Sequence, residues 1–261
     1  MAVKRRWLAY MGLFALVALG LFFLFRPLGG EVRDRTWERI ERQGVLRVGM
    51  DASYPPFELW DEVGLRGYDV DLALALGREW SLEVKFENIT FDGLYDALKV
   101  ERVDIIISAL PYDPLLTQDV AYSYSYFDAG QVLVVREEET AIAKVEDLNG
   151  RRVGLELGSM GDLEARRLEQ RMALERKAYS SPQEVLEALR DEKVDAGIVD
   201  AVSAYQFIRE QGGLRIVQQV TEEPYVMAVP MKAPLLLEKV NEAIVEWRET
   251  GFLEELRERW F

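Results

Sequence analysis

Neither cysteine nor histidine occurs in these 261 residues. Without cysteine there is no disulfide, no thiolate metal site, no thiol nucleophile and no N-terminal cysteine to carry a lipid. Without histidine the chain lacks the commonest general base, the Ser-His arrangement of hydrolases and the commonest metal ligand. Hydrolytic and metal chemistry therefore have few tools here, and no cofactor is implied. Basic charge is also scarce, because 32 Lys and Arg face 46 Asp and Glu, for a net charge of −14. Lys4, Arg5, Arg6 and Arg26 lie in residues 1–30, which hold no acid, so the remainder stands four units lower, at −18. Phosphate neutralisation needs basic patches, so nucleic acid is excluded as a natural partner. Most of the carboxylates serve solubility.

What the chain has in quantity is apolar residues, 49% of the total, enough for the core of one large domain or two small lobes. The N-terminus reads as a membrane address. Lys4-Arg5-Arg6 precedes an apolar run, Leu8 to Phe25, which as a helix is about 27 Å long and just spans a bilayer core. The basic flank stays in the cytoplasm and sends residue 31 onward outside. Phe25-Arg26-Pro27-Leu28 offers no small-x-small cleavage site, which favours an uncleaved anchor over a signal peptide. Residues 31–43 then form a tether, with a short helix over Trp37 to Gln43.

The chain is organised around Val103 to Phe127. An apolar, β-branched run, Val103 to Ile107, predicts a buried strand that stops at a loop stiffened by Pro111 and Pro114, the place where open α/β sheets bind ligands. The loop is rich in aromatic and hydroxyl groups, including Tyr112, Tyr122, Tyr124, Tyr126 and Phe127. Upstream, strands at Val45–Met50 and Glu83–Ile89 alternate with helices from Tyr68 to near Trp80 and from Phe91 to Val100. Asp69 reads as the N-cap of the first of these helices. Strand and helix alternation predicts a parallel sheet. After a strand at Gln131–Arg136 the pattern restarts. Strands are expected at Arg152–Leu155, Arg176–Tyr179, Val194–Val199 and Leu214–Gln218. Helices are expected over Asp162–Arg171, from Ser181 as N-cap with Pro182 at the first position, and over Ala201–Gln211. A late strand, Tyr225–Val229, and two amphipathic helices around Gly251 suggest that the chain crosses back, with Gln131–Val135 and Tyr225–Val229 as a two-stranded hinge suited to closing on a ligand.

These residues carry a recognisable pattern. Gly44-Val-Leu-Arg-Val-Gly-Met-Asp-Ala-Ser-Tyr-Pro-Pro-Phe57, Gly67-Tyr-Asp-Val-Asp71, Phe91-Asp-Gly-Leu94 and Val103-Asp-Ile-Ile-Ile-Ser108 occur in order. Asp147-Leu-Asn-Gly150 with Gly158-Ser159, then Val194-Asp-Ala196 with Val199-Asp200, complete the series. Together they resemble the bacterial extracellular solute-binding proteins of family 3, the amino-acid type serving ABC importers, over about residues 44–261. The resemblance implies an α/β, two-lobed periplasmic-binding-protein (Venus flytrap) fold, preceded here by one transmembrane helix. Residues 44–131 with 226–261 would form the first lobe and 132–225 the second.

It also implies that Asp200 grips an α-ammonium, that Ser108, Tyr112 and the helix start at Ser159 face the ligand, and that Asp51, Tyr54, Phe91 and Glu156 read its side chain. The family's carboxylate-gripping Arg falls on Leu116, and an N–H-donating loop position falls on Pro111, so the clamp for an α-carboxylate is missing. Asp51, Asp113, Glu156 and Asp200 with the rings of Tyr54, Phe91 and Tyr112 favour a cationic or amine-bearing solute. Asp51 and Asp113 are equally suited to capping turns, and Asp200 to capping a helix. The expected role is a membrane-tethered, extracytoplasmic, monomeric binding protein that delivers an amino-acid-like solute to an ABC permease. The alternatives are a ligand-sensing receptor domain and a dehydratase-like enzyme working through Glu156 and Asp200.

Overall fold

Arg47 and Arg152 open the two halves of the structure in the same way. Each lies on a β-strand, and its backbone N–H and its guanidinium both donate to one aspartate, Asp104 for Arg47 and Asp195 for Arg152. Each aspartate returns its own N–H to the carbonyl of its arginine, at 2.8 Å in both cases. The repeated clasp ties the first strand of a sheet to the third, and it organises two sheets of equivalent plan. In this computed structural model residues 34–261 are described. The expected membrane helix at Leu8–Phe25 lies outside them, and among the described residues no helix is long and apolar enough to cross a membrane.

The first sheet runs β5 (Glu83–Asn88), β1 (Val45–Met50), β6 (Ile105–Ile106), β13 (Pro224–Pro230) and β7 (Val120–Asp128). The second runs β10 (Glu175–Tyr179), β9 (Arg152–Glu156), β11 (Ala196–Asp200), β8 (Gln131–Arg136) and β12 (Leu214–Gln219). In each, four strands run in one direction and one, β13 in the first sheet and β8 in the second, runs against its two neighbours. The β/α alternation gives parallel strands as expected, β1, β5 and β6 in one sheet and β9, β10 and β11 in the other. The reversed strand of each sheet, β13 or β8, is the one the chain enters on crossing from the other lobe.

A small three-stranded sheet, β2 (Ser53–Tyr54), β3 (Glu58–Asp61) and β4 (Gly64–Arg66), lies beside the first. Gly67 follows it with φ of +145°, and a Cβ there would sit 2.0 Å from the Phe57 carbonyl oxygen, so only glycine lets the chain turn into the next helix. That helix, Tyr68–Trp80, buries Leu72, Ala73 and Leu76. Its N-cap is Gly67 rather than Asp69, whose carboxyl turns into the interior instead.

The helix Arg35–Gln43 is longer than expected and belongs to the core of the first lobe, where Trp37 and Ile40 are buried with Leu46 and Ile244. Its N-cap, Asp34, accepts from Trp37 N–H and from Leu235 and Leu236 N–H, so one buried carboxylate caps both this helix and the helix Pro234–Thr250. This half of the segment read as a tether is therefore a fixed element, because two of its side chains complete an apolar face. The last helix, Phe252–Trp260, is pinned when Trp260 Nε1 and Arg259 donate to Asp71. Phe261 then packs among Phe57, Tyr68 and Phe127 with ring centroids 4.9–5.6 Å apart.

The crossings are short. Residues 129–130 lead from β7 into β8 and residues 220–223 from β12 into β13, joined by Ala129 N–H to Glu223 and by Val220 and Thr221 N–H to Gln131. A Cβ on Gly130 would lie 2.1 Å from the Thr221 carbonyl oxygen, so glycine lets the two passes touch. The hinge strands expected at Gln131–Val135 and Tyr225–Val229 do not pair with each other, since each belongs to a different sheet. A second correction concerns Val103–Phe127. Only Ile105–Ile106 forms the organising strand, while the hydroxyl-rich part read as loop contains the nine-residue strand Val120–Asp128, with alternating Tyr and Ser side chains.

Asp104 is buried and held by Arg39 and Arg47, whereas Asp195 is one-fifth exposed and held by Arg152. Asp104→Ala is expected to cost about 3 kcal/mol, because it strands two guanidinium groups at a buried site, and Asp195→Ala to cost less. Urea denaturation of the two variants checks the order.

Candidate functional site

The ends of β1 and β6 bring two loops together at the floor of the first lobe. Ser108 follows β6, is buried, accepts the Asp51 N–H at 3.0 Å and donates to Glu58 at 2.7 Å. Its hydroxyl thus joins loops rather than facing the cleft. Asp51 is equally engaged: Oδ1 accepts from the Ser53 hydroxyl at 2.6 Å and Oδ2 from Phe91 N–H at 2.8 Å. The capping role weighed for it in the sequence is the one the geometry shows. Through Asp51 the Phe91 turn is fastened to β1, which leaves the Phe91 ring 41% exposed.

Beneath these loops lie Glu58 and Asp69, which sequence reasoning passed over, Glu58 without comment and Asp69 as a cap. Asp69 Oδ2 accepts Ala109 N–H at 2.5 Å and Tyr126 hydroxyl at 2.9 Å. Ala109 has φ of +40°, a left-handed conformation costing a non-glycine residue about 1 kcal/mol, so the carboxylate holds a strained link. Burial, aided by the neighbouring Asp69 charge, pushes Glu58 up to about 10. Burial also raises Asp69, against the hydrogen bonds it accepts from Ala109 and Tyr126. The signal available in sequence was only that Glu58 sits in an otherwise apolar strand start and Asp69 in an apolar helix face.

Aromatic rings form the wall. Tyr54 is 46% exposed and stacks on buried Phe57 at 5.6 Å with nearly parallel planes. Burial chiefly raises the titration of Tyr225, and Tyr54 and the charge of Asp200 add to it. Tyr112 is also exposed, with its ring edge-on to Tyr122 at 5.2 Å and its N–H donating to the Pro224 carbonyl. Asp113 caps the turn Pro114–Leu116 through Leu115 N–H at 2.8 Å. Leu116, where the resemblance led to the expectation of an arginine, packs against the apolar cluster of Leu94, Leu98 and Val103.

The second lobe offers two helix starts. Ser159 caps the helix Met160–Glu169 by accepting Asp162 N–H, and its hydroxyl donates to the Glu156 carbonyl at 2.8 Å. Glu156 ends β9, half-buried. Gly161 in the first turn brings the helix so close that an added Cβ would meet Gln131 Oε1 at 2.7 Å and the Ile198 carbonyl at 2.8 Å. Asp200 ends β11 and caps the helix Ala201–Gln211 through Oδ1 and Ser203 N–H at 2.8 Å. Among the described residues no donor is bonded to its Oδ2.

Hydrogen bonds therefore gather Asp51, Phe91 and Ser108 into one unit and Glu156 with Ser159 into another, while Tyr54 and the charge of Asp200 both raise the titration of Tyr225. Among the described residues no hydrogen bond joins Glu156 or Ser159 to the first-lobe site residues, and no group of three or more acids is placed to hold a metal.

The profile of the bacterial extracellular solute-binding proteins, family 3, matches residues 46–261. The chain belongs to that family. Family 3 relatives include the arginine-binding extracellular protein ArtP of Bacillus subtilis (strain 168), 26% identical over 219 residues, with 83% of this chain and 86% of that protein covered. A solved ancestral cationic amino acid solute binding protein is 31% identical, covers 87% of this chain and 99% of its own, and superposes with a TM-score of 0.63. A solved ancestral cyclohexadienyl dehydratase is 25% identical with a TM-score of 0.77, covering 87% and 96%. The two-lobed periplasmic-binding-protein fold is thus the family's, and its curated relatives are binding proteins rather than enzymes.

Asparagine caps helices nearly as well as aspartate. Asp200→Asn is therefore expected to leave stability almost unchanged, while Asp200→Ala lowers it by about 1 kcal/mol. Chemical denaturation of both variants separates the cap from the charge.

Proposed function

We propose that this chain captures a cationic or amine-bearing, amino-acid-like solute outside the cytoplasm and presents it to an ABC permease, with lobe closure as the output. The observation that carries the reading is the composition of the cleft. Asp200 keeps one carboxylate oxygen unbonded and its charge reaches Tyr225, the rings of Tyr54, Phe91 and Tyr112 are exposed, and Leu116 at the clamp position packs on an apolar cluster. An ammonium or guanidinium gains from the carboxylate and from ring faces, each ring contributing roughly 0.5–2 kcal/mol. The names of the relatives point the same way, since arginine binders recur among them.

In this reading Asp200 takes the charged head, Tyr54, Phe91 and Tyr112 pack on the solute, and Glu156 reads a second donor. A carboxylate on the solute would rest on backbone N–H groups at the start of Met160–Glu169, a means of holding an anion that needs no arginine. Asp51 and Ser108 serve by fixing the floor. The lobes divide at the two crossings, near residues 131 and 225, and the chain acts as a monomer. The apolar run Leu8–Phe25, with Lys4-Arg5-Arg6 before it, would tether the protein to the membrane with the binding lobes outside.

A thermal-shift screen of the full chain against L-arginine, polyamines, quaternary ammoniums, neutral zwitterions and acidic metabolites tests this. A ligand at about 100 times its Kd stabilises by roughly 2.7 kcal/mol. Stabilisation by the cationic panels, lost in Asp200→Asn, is expected. Stabilisation by neutral zwitterions alone would overturn the cationic assignment, and turnover of a cyclic acid would move the chain to the dehydratase reading.

A further inference from the structure

The described residues bury five acids: Asp34, Glu58, Asp69, Asp104 and Asp162. Asp34 caps two helices, and Asp104 and Asp162 are each held by two arginines. Glu58 and Asp69 have no base at all. Asp51 at the end of β1 adds a further negative charge toward Glu58, and the groups facing Asp69 are the Tyr126 hydroxyl and the Ala109 N–H. Arg257 and Glu254 of the last helix act on Tyr68 and Tyr205 and on neither carboxyl.

Each carboxyl has one oxygen in use and one spare. Glu58 Oε1 accepts from Ser108 and Asp69 Oδ2 from Ala109 and Tyr126, while Glu58 Oε2 and Asp69 Oδ1 find no donor among the protein's fixed hydrogens. The two carboxyls are neighbours, and a hydrogen bond between them is among the influences on both titrations. Two carboxylates are acceptors only, so such a bond exists only when one of them carries a proton. With that proton in place every buried oxygen of the pair is partnered; without it two unscreened charges would share an apolar site.

We propose that Glu58 stays protonated on Asp69 and that this carboxyl–carboxylate pair is the positioning device of the cleft floor, Glu58 setting Ser108 and through it Asp51, and Asp69 setting Ala109. Its bearing on binding rests on the family reading that this floor faces the solute. The pair links the two loops that start at the ends of β1 and β6, so the loops move together or not at all.

The sign of the pH dependence follows. Glu58 binds its proton more tightly folded than unfolded, so stability is greatest below the ordinary carboxylate range and declines as pH rises toward the folded value of about 10. Glutamine copies the protonated form, donating to Asp69 and accepting from Ser108, and does not titrate. In the full chain, Glu58→Gln is expected to match the parent's Tm at about pH 5 and to exceed it by several degrees at about pH 9, with the Asp51 and Ala109 amides protected from exchange in both. Glu58→Leu is expected to cost those two amides at least about tenfold in protection while distant core amides keep theirs. A Tm difference between Glu58→Gln and the parent that stays constant over this pH range, or a Glu58 carboxyl titrating in the ordinary range by carbon-13 NMR, would overturn the shared proton. Undiminished protection in Glu58→Leu would overturn the positioning role. Should Glu58→Leu fail to fold, loss of Asp51 and Ala109 protection in the parent but not in Glu58→Gln at about pH 11, where the Glu58 proton has left, supports that role, and equal protection in both at that pH refutes it. None of these readings uses a ligand, so they stand or fall apart from the cationic assignment.

Discussion

Everything in the cleft depends on the chain passing twice between the sheets at one narrow place. Ala129 and Gly130 run beside residues 220–223, close enough for backbone hydrogen bonds and for a contact that no side chain on Gly130 could permit. A joint of so few residues confines relative lobe motion to a handful of dihedral angles, which is how hinged binding proteins close on a solute. Gln131 lies at this joint and its side chain reaches the start of Met160–Glu169, so the second lobe's helix start is built directly on the hinge.

The duplicated clasp of Arg47 with Asp104 and Arg152 with Asp195 shows how two lobes of unlike sequence keep one plan. In both, the arginine fixes the beginning of the neighbouring parallel strand, which leads to Ser108 in one lobe and to Asp200 in the other. The equivalence ends there. The first lobe fills its floor with acids and rings and directs Asp51 and Ser108 inward to hold it together. The second leaves a carboxylate oxygen and a helix start open. One lobe supplies a shaped wall and the other a charge.

Substituting leucine for the family's arginine changes what the loop after β6 can do. Leu116 closes an apolar cluster beneath Tyr122 and contributes packing where an arginine would project a fork of donors. The loop is instead stitched to β13 by Tyr112 N–H and by the Leu110 carbonyl.

The sequence by itself determined the family pattern, the alternation of strands and helices, the Ser181 and Asp200 caps and the acidity of the body. These are local matters, set by periodicity, by capping chemistry and by counts of charge. It also placed Asp51, Ser108 and Asp200 at strand ends, because apolar runs stop where polar residues begin. Only the tertiary structure decided which way those side chains turn. Asp69 looked like a helix cap and proved to be an interior acid, because Gly67 makes the turn and Ala109 and Tyr126 arrive from 40 and 57 residues away to meet it. The strand Val120–Asp128 looked like a loop, because its tyrosines and serines reveal a pleat only when β13 lies beside them. Helix Arg35–Gln43 looked like part of a tether until the helix Pro234–Thr250 offered Asp34 two more N–H groups. Pairings over such separations leave no mark on the residues near them in sequence, and the buried proton between Glu58 and Asp69 is written in neither segment alone.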